Sequence, residues 1–431
     1  MKNRRASLGF IFLTVFIDLL GAGMILPLLP FYVKLIEQAD SLWLTNNLAL
    51  IVGLLTASFS LFQFLFTPIL GAISDRVGRR PVLIISLAGT GVAYVLLGFA
   101  DQLISLGVGA FLGMLFFARI LDGITGGNIS TAQAYIADVT PPEERARGLG
   151  MIGAAFGLGF MLGPAFGGLL STISLSAPAY VAAALAFANV LFGIFVLPES
   201  LPAERRTARV PGAPNPFARL GGLFGRRSIR SLLIGIMLLN LAFAGLQSNF
   251  AVFSAERFNF GPTENAFIFA FIGLIAVLVQ GVFIRRLVAR FGEARLAMTG
   301  LALMTLSFVL IAFLPFAAGL YLATGILAAG SGLATPSLTS LISRRVGEHE
   351  QGSVLGGVQA MNSLMMVAGP LLAGVLFDAI APVAPYIVGS VLIGGAGILV
   401  TSVLQPVLRT APTFSQPLGA AVEFESARRS E

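Results

Sequence analysis

Twelve apolar runs recur along this chain, each long enough to cross a lipid bilayer as a helix, and the short connections between them hold almost all of the charge. The runs fall at about 8–33, 47–71, 81–99, 108–137, 148–171, 178–197, 230–254, 264–284, 296–315, 318–342, 352–377 and 384–406. A helix needs about 20 apolar residues to cross roughly 30 Å of hydrocarbon. Helices of that length satisfy their own backbone polar groups in lipid, so the expected fold class is an all-α membrane protein with twelve transmembrane helices. Composition agrees: the chain is 56% hydrophobic and 11% charged, with mean hydropathy +0.91, whereas ordinary soluble domains carry about 25% charged residues. Lipid must be the solvent for most of its surface.

Charge fixes the orientation. Of the 27 Lys and Arg residues, 24 lie in segments that share one face when the chain crosses twelve times. Positive charge is retained on the cytoplasmic side, so both termini are expected inside a prokaryotic-type cytoplasmic membrane. The exceptions are Lys34 and Arg257 at outer helix ends, and Arg119 within an apolar run. The net charge of +7 sits in loops and forms no basic stripe interleaved with aromatic residues, so it points to anionic lipid and not to nucleic acid.

Absent chemistry narrows the function. The chain has no cysteine, one histidine (His349) and two lysines, which leaves no thiolate and no His pair for a metal. It has no GxxxxGK[ST] phosphate loop for ATP. No nucleophile–base pair appears at membrane depth, so no enzyme activity, cofactor or metal is expected. The first run is too long for a signal-peptide core and lacks a small-residue cleavage site, so it reads as an uncleaved helix.

The longest polar connection, Pro198 to Arg230, carries seven Arg and divides the chain. The expected organisation is an amino-terminal six-helix bundle over 1–197, a cytoplasmic linker over 198–230, a second six-helix bundle over 231–406, and a disordered cytoplasmic tail over 407–431. The halves resemble each other: Gly163-Pro164 in the fifth helix recurs as Gly369-Pro370 in the eleventh, and the turn Glu143 to Gly148 recurs as Glu348 to Gly352. Such repetition suits two bundles related by an axis along the membrane normal, with a substrate path between them.

Three ionisable side chains fall inside apolar runs: Asp18, Arg119 and Asp122. A charged residue near the centre of a spanning helix costs about 2.5–3.5 kcal/mol even on the lenient insertion scale, so such residues are functional candidates. Desolvation favours the neutral form of a carboxyl group, which lets it pick up and release protons as its surroundings alternate. Asp18 is the first candidate for proton coupling and Asp122 the second, with Arg119 tuning either acid or holding an anionic intermediate. The alternative is an ion pair that locks helix one to helix four. Asp122 lies three residues from Arg119 and so on the same helix face, which favours the pair for that acid. Neutral polar residues that can line a cavity include Gln63, Asn128, Asn240, Gln247 and Asn362, and Tyr32, Phe243 and Phe250 are candidate aromatic walls. Each has the alternative of an interhelical hydrogen bond or simple packing.

Several motifs carry a resemblance. The segment GAISDRVGRRP (Gly71, Asp75, Arg76, Gly78, Arg79 within it) follows the second helix, Arg119 to Gly123 fits an RxxxG pattern, and Gly150, Gly159, Gly163, Pro164, Gly167 and Gly168 fit G-x8-G-x3-GP-x2-GG. With Leu197-Pro-Glu-Ser200 they make the chain, to about Gln405, resemble the major facilitator superfamily, and within it the twelve-helix, tetracycline-efflux-like drug:proton antiporters. That resemblance implies two pseudo-symmetric bundles, alternating access, a monomer, and proton-coupled efflux of a small molecule. It also implies that Arg79, with Arg76, joins Asp75 to Asp138 in a latch between the halves, with Asp75 facing the amino end of helix eleven. The alternative is a solvated turn that only orients the chain. The helix-five glycines permit close packing against the partner bundle. Those exporters carry an acid where Asp18 stands, and helices one, four, seven and ten line their path. Their third-helix and ninth-helix acids, however, fall on Ala93 and about Met304, which speaks against a metal–tetracycline chelate and for a lipophilic or weakly cationic cargo. A sugar or metabolite carrier is the alternative within transport. A non-transporting sensor would need an output domain, for which only the linker and tail are available.

Overall fold

A computed structural model describes residues 2–38, 42–141, 145–206 and 224–410, and all regular elements among them are helical. Among the described residues, twelve helices are long and apolar enough to cross a membrane. They are α1 (Gly9–Lys34), α2 (Leu48–Val77), α3 (Arg79–Leu106), α4 (Val108–Val139), α5 (Met151–Ser171), α6 (Ala177–Phe195), α7 (Ser228–Phe258), α8 (Pro262–Phe291), α9 (Glu293–Phe313), α10 (Ala317–Ser343), α11 (Val354–Ala379) and α12 (Ala384–Leu404). Linker residues 207–223 and tail residues 411–431 lie outside the described residues, as does Glu143 of the repeated turn.

Three spans depart from simple helices. In α1 a 3-10 turn covers Leu26–Leu28, where Pro27 cannot donate a backbone hydrogen bond. α4 was expected to run unbroken, yet α-helix stops at Thr125 and restarts at Asn128. Gly126 and Gly127 there have ψ of 0° and 7°, too flat to continue the helix. α8 passes through a π-helical turn at Leu278–Phe283 and runs on to Phe291 instead of ending near 284.

Glycine positions decide how the spans pack. Gly159, Gly163 and Gly167 sit four residues apart on one face of α5. A Cβ at each would stand 2.8 Å from Leu19 Cβ, 2.7 Å from Gly23 Cα and 2.6 Å from the Met24 carbonyl oxygen, all on α1. The helix-five motif therefore packs mainly inside its own half, which corrects the expectation that it faces the partner bundle. Gly168 alone turns to the other half, where a Cβ would overlap Ala266 of α8. One residue of helix rotates the direction by about 100°, which separates the two roles. The surroundings of Gly150 lie outside the described part.

The second half repeats this scheme. The same 206 residues separate Gly163 from Gly369 and Gly168 from Gly374. Gly369 packs on α7, 2.6 Å from the Leu241 carbonyl, and Gly374 crosses to α2, 2.7 Å from Leu50 Cα. Hence α1 against α5 corresponds to α7 against α11, and α5 against α8 corresponds to α11 against α2. These are the two pseudo-symmetric six-helix bundles of the expected fold.

The seams between the halves are not uniform in depth. Along α5 and α8, the Gly168 overlap is followed by Gly273, 2.5 Å from Met161 Cα, then by Gly157, 3.4 Å from Val277, and then by Gly153 with nothing within 4 Å. Along α2 and α11, Gly53 stands 2.5 Å from the Pro370 carbonyl, whereas Gly356 meets nothing within 4 Å. Both seams are tight at the face where α2 begins and open toward the Arg-rich face.

Because lipid supplies no hydrophobic drive for helices to associate, close backbone contact must hold these pairs together. Gly163→Ala is expected to lower the stability of the solubilised protein by about 1–3 kcal/mol, since the added methyl meets backbone that can yield only if α1 moves. Thermal unfolding in detergent measures this, and an unchanged midpoint would contradict the packing account.

Candidate functional site

The broken α4 brings the buried charges together. Its first segment (Val108–Thr125) carries Arg119 and Asp122, and its second opens on Asn128. Arg119 Nη1 donates to Asp122 Oδ2 at 2.7 Å, and the two residues are 4% and 5% exposed. The guanidinium carbon also lies 4.2 Å from the centre of the Phe59 ring, a cation–π contact that favours the charge in a desolvated site. Arg119 Nε has no hydrogen-bond partner among the described residues. Of the two alternatives open for Asp122, the geometry is that of the local pair.

Asp18 has a different partner. Asn128 Nδ2 donates to Asp18 Oδ2 at 3.0 Å, and no ion pair reaches Asp18 among the described residues. Asp18 is partly exposed, unlike the Arg119–Asp122 pair. A neutral amide can donate to a carboxylate, or accept from a carboxylic acid after rotating its oxygen into place, so this contact survives either protonation state. A guanidinium can only donate, so it binds the carboxylate much more strongly than the neutral acid and favours the charged form.

The break itself is held from α2. Gln63 Nε2 donates to the Gly126 carbonyl at 3.0 Å, satisfying an acceptor that the interrupted helix frees. A Cβ at Gly127 would stand 3.0 Å from Thr67 Cα, so the two backbones are almost in contact. Gln63, expected on a cavity wall, therefore spends its amide on the junction that positions Asn128. Thr90 and Thr125 add a hydroxyl pair at 3.1 Å between α3 and α4, which no pattern in the chain singles out.

Across the chain's midpoint, Asn240 of α7 donates to Asn362 Oδ1 of α11 at 2.8 Å and to the Ile236 carbonyl at 2.7 Å. Gln247, partly exposed, makes no hydrogen bond among the described residues, and Phe243 is partly buried. Two aromatic expectations are corrected here. Tyr32 and Phe250 are both fully buried, the first in the core of the first half beside Leu29 and Val33, the second in the core of the other half against Phe269. They pack and form no cavity wall. Ala93 and Met304, where the resembling exporters have acids, are likewise enclosed in the two halves.

On the Arg-rich face, Arg79 stands between two acids. Its Nη1 lies 2.6 Å from Asp75 Oδ1 and its Nε 3.1 Å from Asp138 Oδ2, and Nη1 also donates to Ser74 Oγ at 2.7 Å. Gly78 is required at the turn before it, with φ of +110° and a Cβ position that would run into Glu199. Gly71 has no such need, since a Cβ there would lie 3.7 Å from Ser130, an ordinary contact. Arg76 is exposed and makes no ion pair among the described residues. Glu199, in the Leu197-Pro-Glu-Ser200 motif after α6, accepts the Arg79 and Arg80 backbone N–H groups at 2.9 and 3.2 Å, partners that the motif alone does not reveal. Ser200 Oγ donates to Asp138 at 3.2 Å. The described partners of this cluster all come from the first half of the chain, and the expected contact of Asp75 with the amino end of helix eleven, at positions 352 and 353, lies outside the described side chains.

Comparison with known proteins matches the Major Facilitator Superfamily model to residues 11–355 and 279–430. The chain is 34% identical over 386 residues to the class C tetracycline resistance protein of Escherichia coli, covering 88% of this chain and 92% of that protein. It is 29% identical over 386 residues to multidrug resistance protein 2 of Bacillus subtilis (strain 168), covering 87% and 90%. Among solved structures, the human organic anion transporter MFSD10 (TETRAN) superposes with a TM-score of 0.68 at 28% identity, covering 92% of this chain and 99% of that one.

If Arg119 and Asp122 form a fixed pair, Arg119→Gln strands a buried carboxylate, at a cost of roughly 3–5 kcal/mol. Asp122→Asn in the same protein is expected to recover most of that loss. Detergent thermal unfolding of the single and double variants checks it, and equal loss in both would contradict the pairing.

Proposed function

The chain belongs to the major facilitator superfamily and is a multi-pass membrane transporter of small molecules, and from that premise we propose that it is a proton-coupled exporter of lipophilic or weakly cationic molecules. The observation that carries the reading is the contrast between the two membrane acids. Asp122 is held by a guanidinium, and Asp18 by an amide that tolerates both protonation states. Asp18 is therefore the acid that changes its proton, and Asp122 with Arg119 is scaffold.

Positive charge is retained on the cytoplasmic side, so in this reading the Arg-rich face, where the seams are wider, is the inner one. A cationic cargo entering from that side favours the carboxylate of Asp18, and the proton leaves to the cytoplasm. Closure of the inner side and opening of the outer seams then releases the cargo outward, where Asp18 is protonated again. Each proton moving inward down 100 mV supplies roughly 2.3 kcal/mol, which drives export of a neutral cargo. A monovalent cation exchanged one for one offsets it and leaves the pH difference as the drive. A monomer suffices, because the path lies between two halves of one chain.

The cargo class follows from the charges that are engaged elsewhere. Arg119 is occupied by Asp122, which leaves no free cation at this depth among the described residues to hold an organic anion. With Ala93 and Met304 apolar and Asp122 paired, Asp18 is the acid left at this depth among the described residues to face a positive group, which is little charge for a metal chelate. Asn240 with Asn362, Gln247 and Phe243 supply a wall of modest polarity on the other half. Two relatives named for tetracycline and multidrug resistance support efflux as the direction.

In liposomes carrying a pH-sensitive dye, a lipophilic cation added to the parent protein is expected to release protons. Its apparent affinity should fall as pH drops through the range in which Asp18 gains its proton. Asp18→Asn should bind the cation with little pH dependence and release no protons. Full coupled release by Asp18→Asn would overturn the assignment.

A further inference from the structure

Asp378, at the end of α11 farthest from the Arg-rich face, reaches across the seam to the start of α2. The Leu50 N–H donates to its Oδ2 at 2.7 Å and the Ala49 N–H to its Oδ1 at 3.4 Å. The first N–H groups of a helix have no partner within the helix and carry partial positive charge. Asn47, the residue in the capping position of α2, makes no side-chain cap bond. A carboxylate from the opposite half therefore caps this helix, and the bond exists only while the two halves are together.

The same place is where the seam is tightest. Gly374 lies one turn before Asp378 against Leu50, and Gly53 stands against Pro370. Beside it a cavity of about 430 Å³ is lined by Pro30, Phe31, Lys34, Val52, Glu256 and Asp378, among others. The titratable groups that face Asp378 across this cavity are Lys34 from the end of α1 and Glu256 from α7. The α2 side contributes Thr45 and Asn46, and the turn after α11 contributes Ile380, Ala381 and Pro382, none of them titratable. Arg257, next to Glu256, is turned away, donating to the Ala312 carbonyl. The carboxylate is thus half-buried at the seam yet borders a cavity through which a proton can arrive.

We propose that Asp378 is the latch of the face opposite the Arg-rich one: its charged form holds α11 to α2 and keeps that side shut, and protonation from the adjoining cavity releases it. The proton goes from bulk water to an Asp378 oxygen. A neutral carboxylic acid gives up the charge–helix attraction and is a weaker acceptor for two N–H donors. Acid on the outer side would thereby favour opening toward that side, which is when an exporter must let go of its cargo. The latch rests on alternating access and is independent of which acid couples transport, so a failure of Asp18 leaves it standing.

The chain has no natural cysteine, which makes a single introduced thiol a clean reporter. Ala57 is 5% exposed, one turn deeper than Gly53 on the same face of α2, so Ala57→Cys meets a membrane-impermeant maleimide from outside only when the outer seam opens. Rates in intact cells are normalised to Leu106→Cys, at a position 76% exposed on the same face, which removes the intrinsic pH dependence of the thiol. Normalised labelling of Ala57→Cys should rise as the outside is made mildly acidic. Adding Asp378→Asn should raise labelling at alkaline pH by about tenfold, the scale of one lost charged hydrogen bond, and flatten its pH dependence. Asp378→Glu should keep the parent pattern, and Glu256→Gln should keep the pH dependence. A flat profile in the Ala57→Cys parent, parent-like alkaline labelling with Asp378→Asn, or loss of the pH dependence with Glu256→Gln would each overturn the latch. The parent profile alone decides the question even if Asp378→Asn does not fold.

Discussion

Everything in this molecule depends on backbones approaching one another where there is no side chain to intervene. In lipid, apolar surface gains nothing by leaving one hydrocarbon for another, so helix pairs are held by dispersion and by whatever hydrogen bonds close contact permits. The glycines of α5 and α11 meet that constraint twice over, once inside each half and once across the seam. Contacts of this kind have a short range, since a gap of an ångström forfeits much of the attraction. A seam built from them can be shut at one depth and parted at another, as both seams are here, and two rigid halves can rock about it.

The same close approach sets the electrostatics. α4 can lie against α2 because Gly123, Gly126 and Gly127 leave room, and the price of that approach is an interrupted helix. Gln63 covers the freed carbonyl, and the restarted segment delivers Asn128 to Asp18. Two acids at similar depth thereby receive different partners. One is neutralised by Arg119 under the Phe59 ring, and the other is left with an amide. A desolvated carboxyl group without a counter-charge is the part of such a structure with two accessible charge states, and moving between them is how a proton gradient can be tied to a change of shape.

Much of this was legible in the sequence. Twelve spans and the Gly163/Gly369 repeat follow from hydropathy and spacing, because membrane depth imposes one length scale on every helix. The three ionisable residues stood out for the same reason. What was illegible depended on direction and partner. The α4 break hides in a Gly-Gly pair that reads as ordinary membrane-helix composition. Tyr32 and Phe250 could not be told from cavity aromatics, since hydropathy does not distinguish a face packed on protein from one facing a cavity. Gly159, Gly163 and Gly167 were assigned to the wrong neighbour, and Gly168 to the right one, because a motif gives a face but not what lies opposite. Glu199 and Asp378 look like solvated acids near helix ends, and only the fold shows the backbone N–H groups they accept.

The central claim is that Asp18 changes its proton when cargo binds. Infrared difference spectroscopy on the reconstituted protein, recorded as a lipophilic cation is added at fixed pH, reads that event directly. The expected result is loss of a protonated-carboxyl band in the parent and its absence in Asp18→Asn. The same band persisting in Asp18→Asn, or no carboxyl change in the parent despite bound cation, would contradict it.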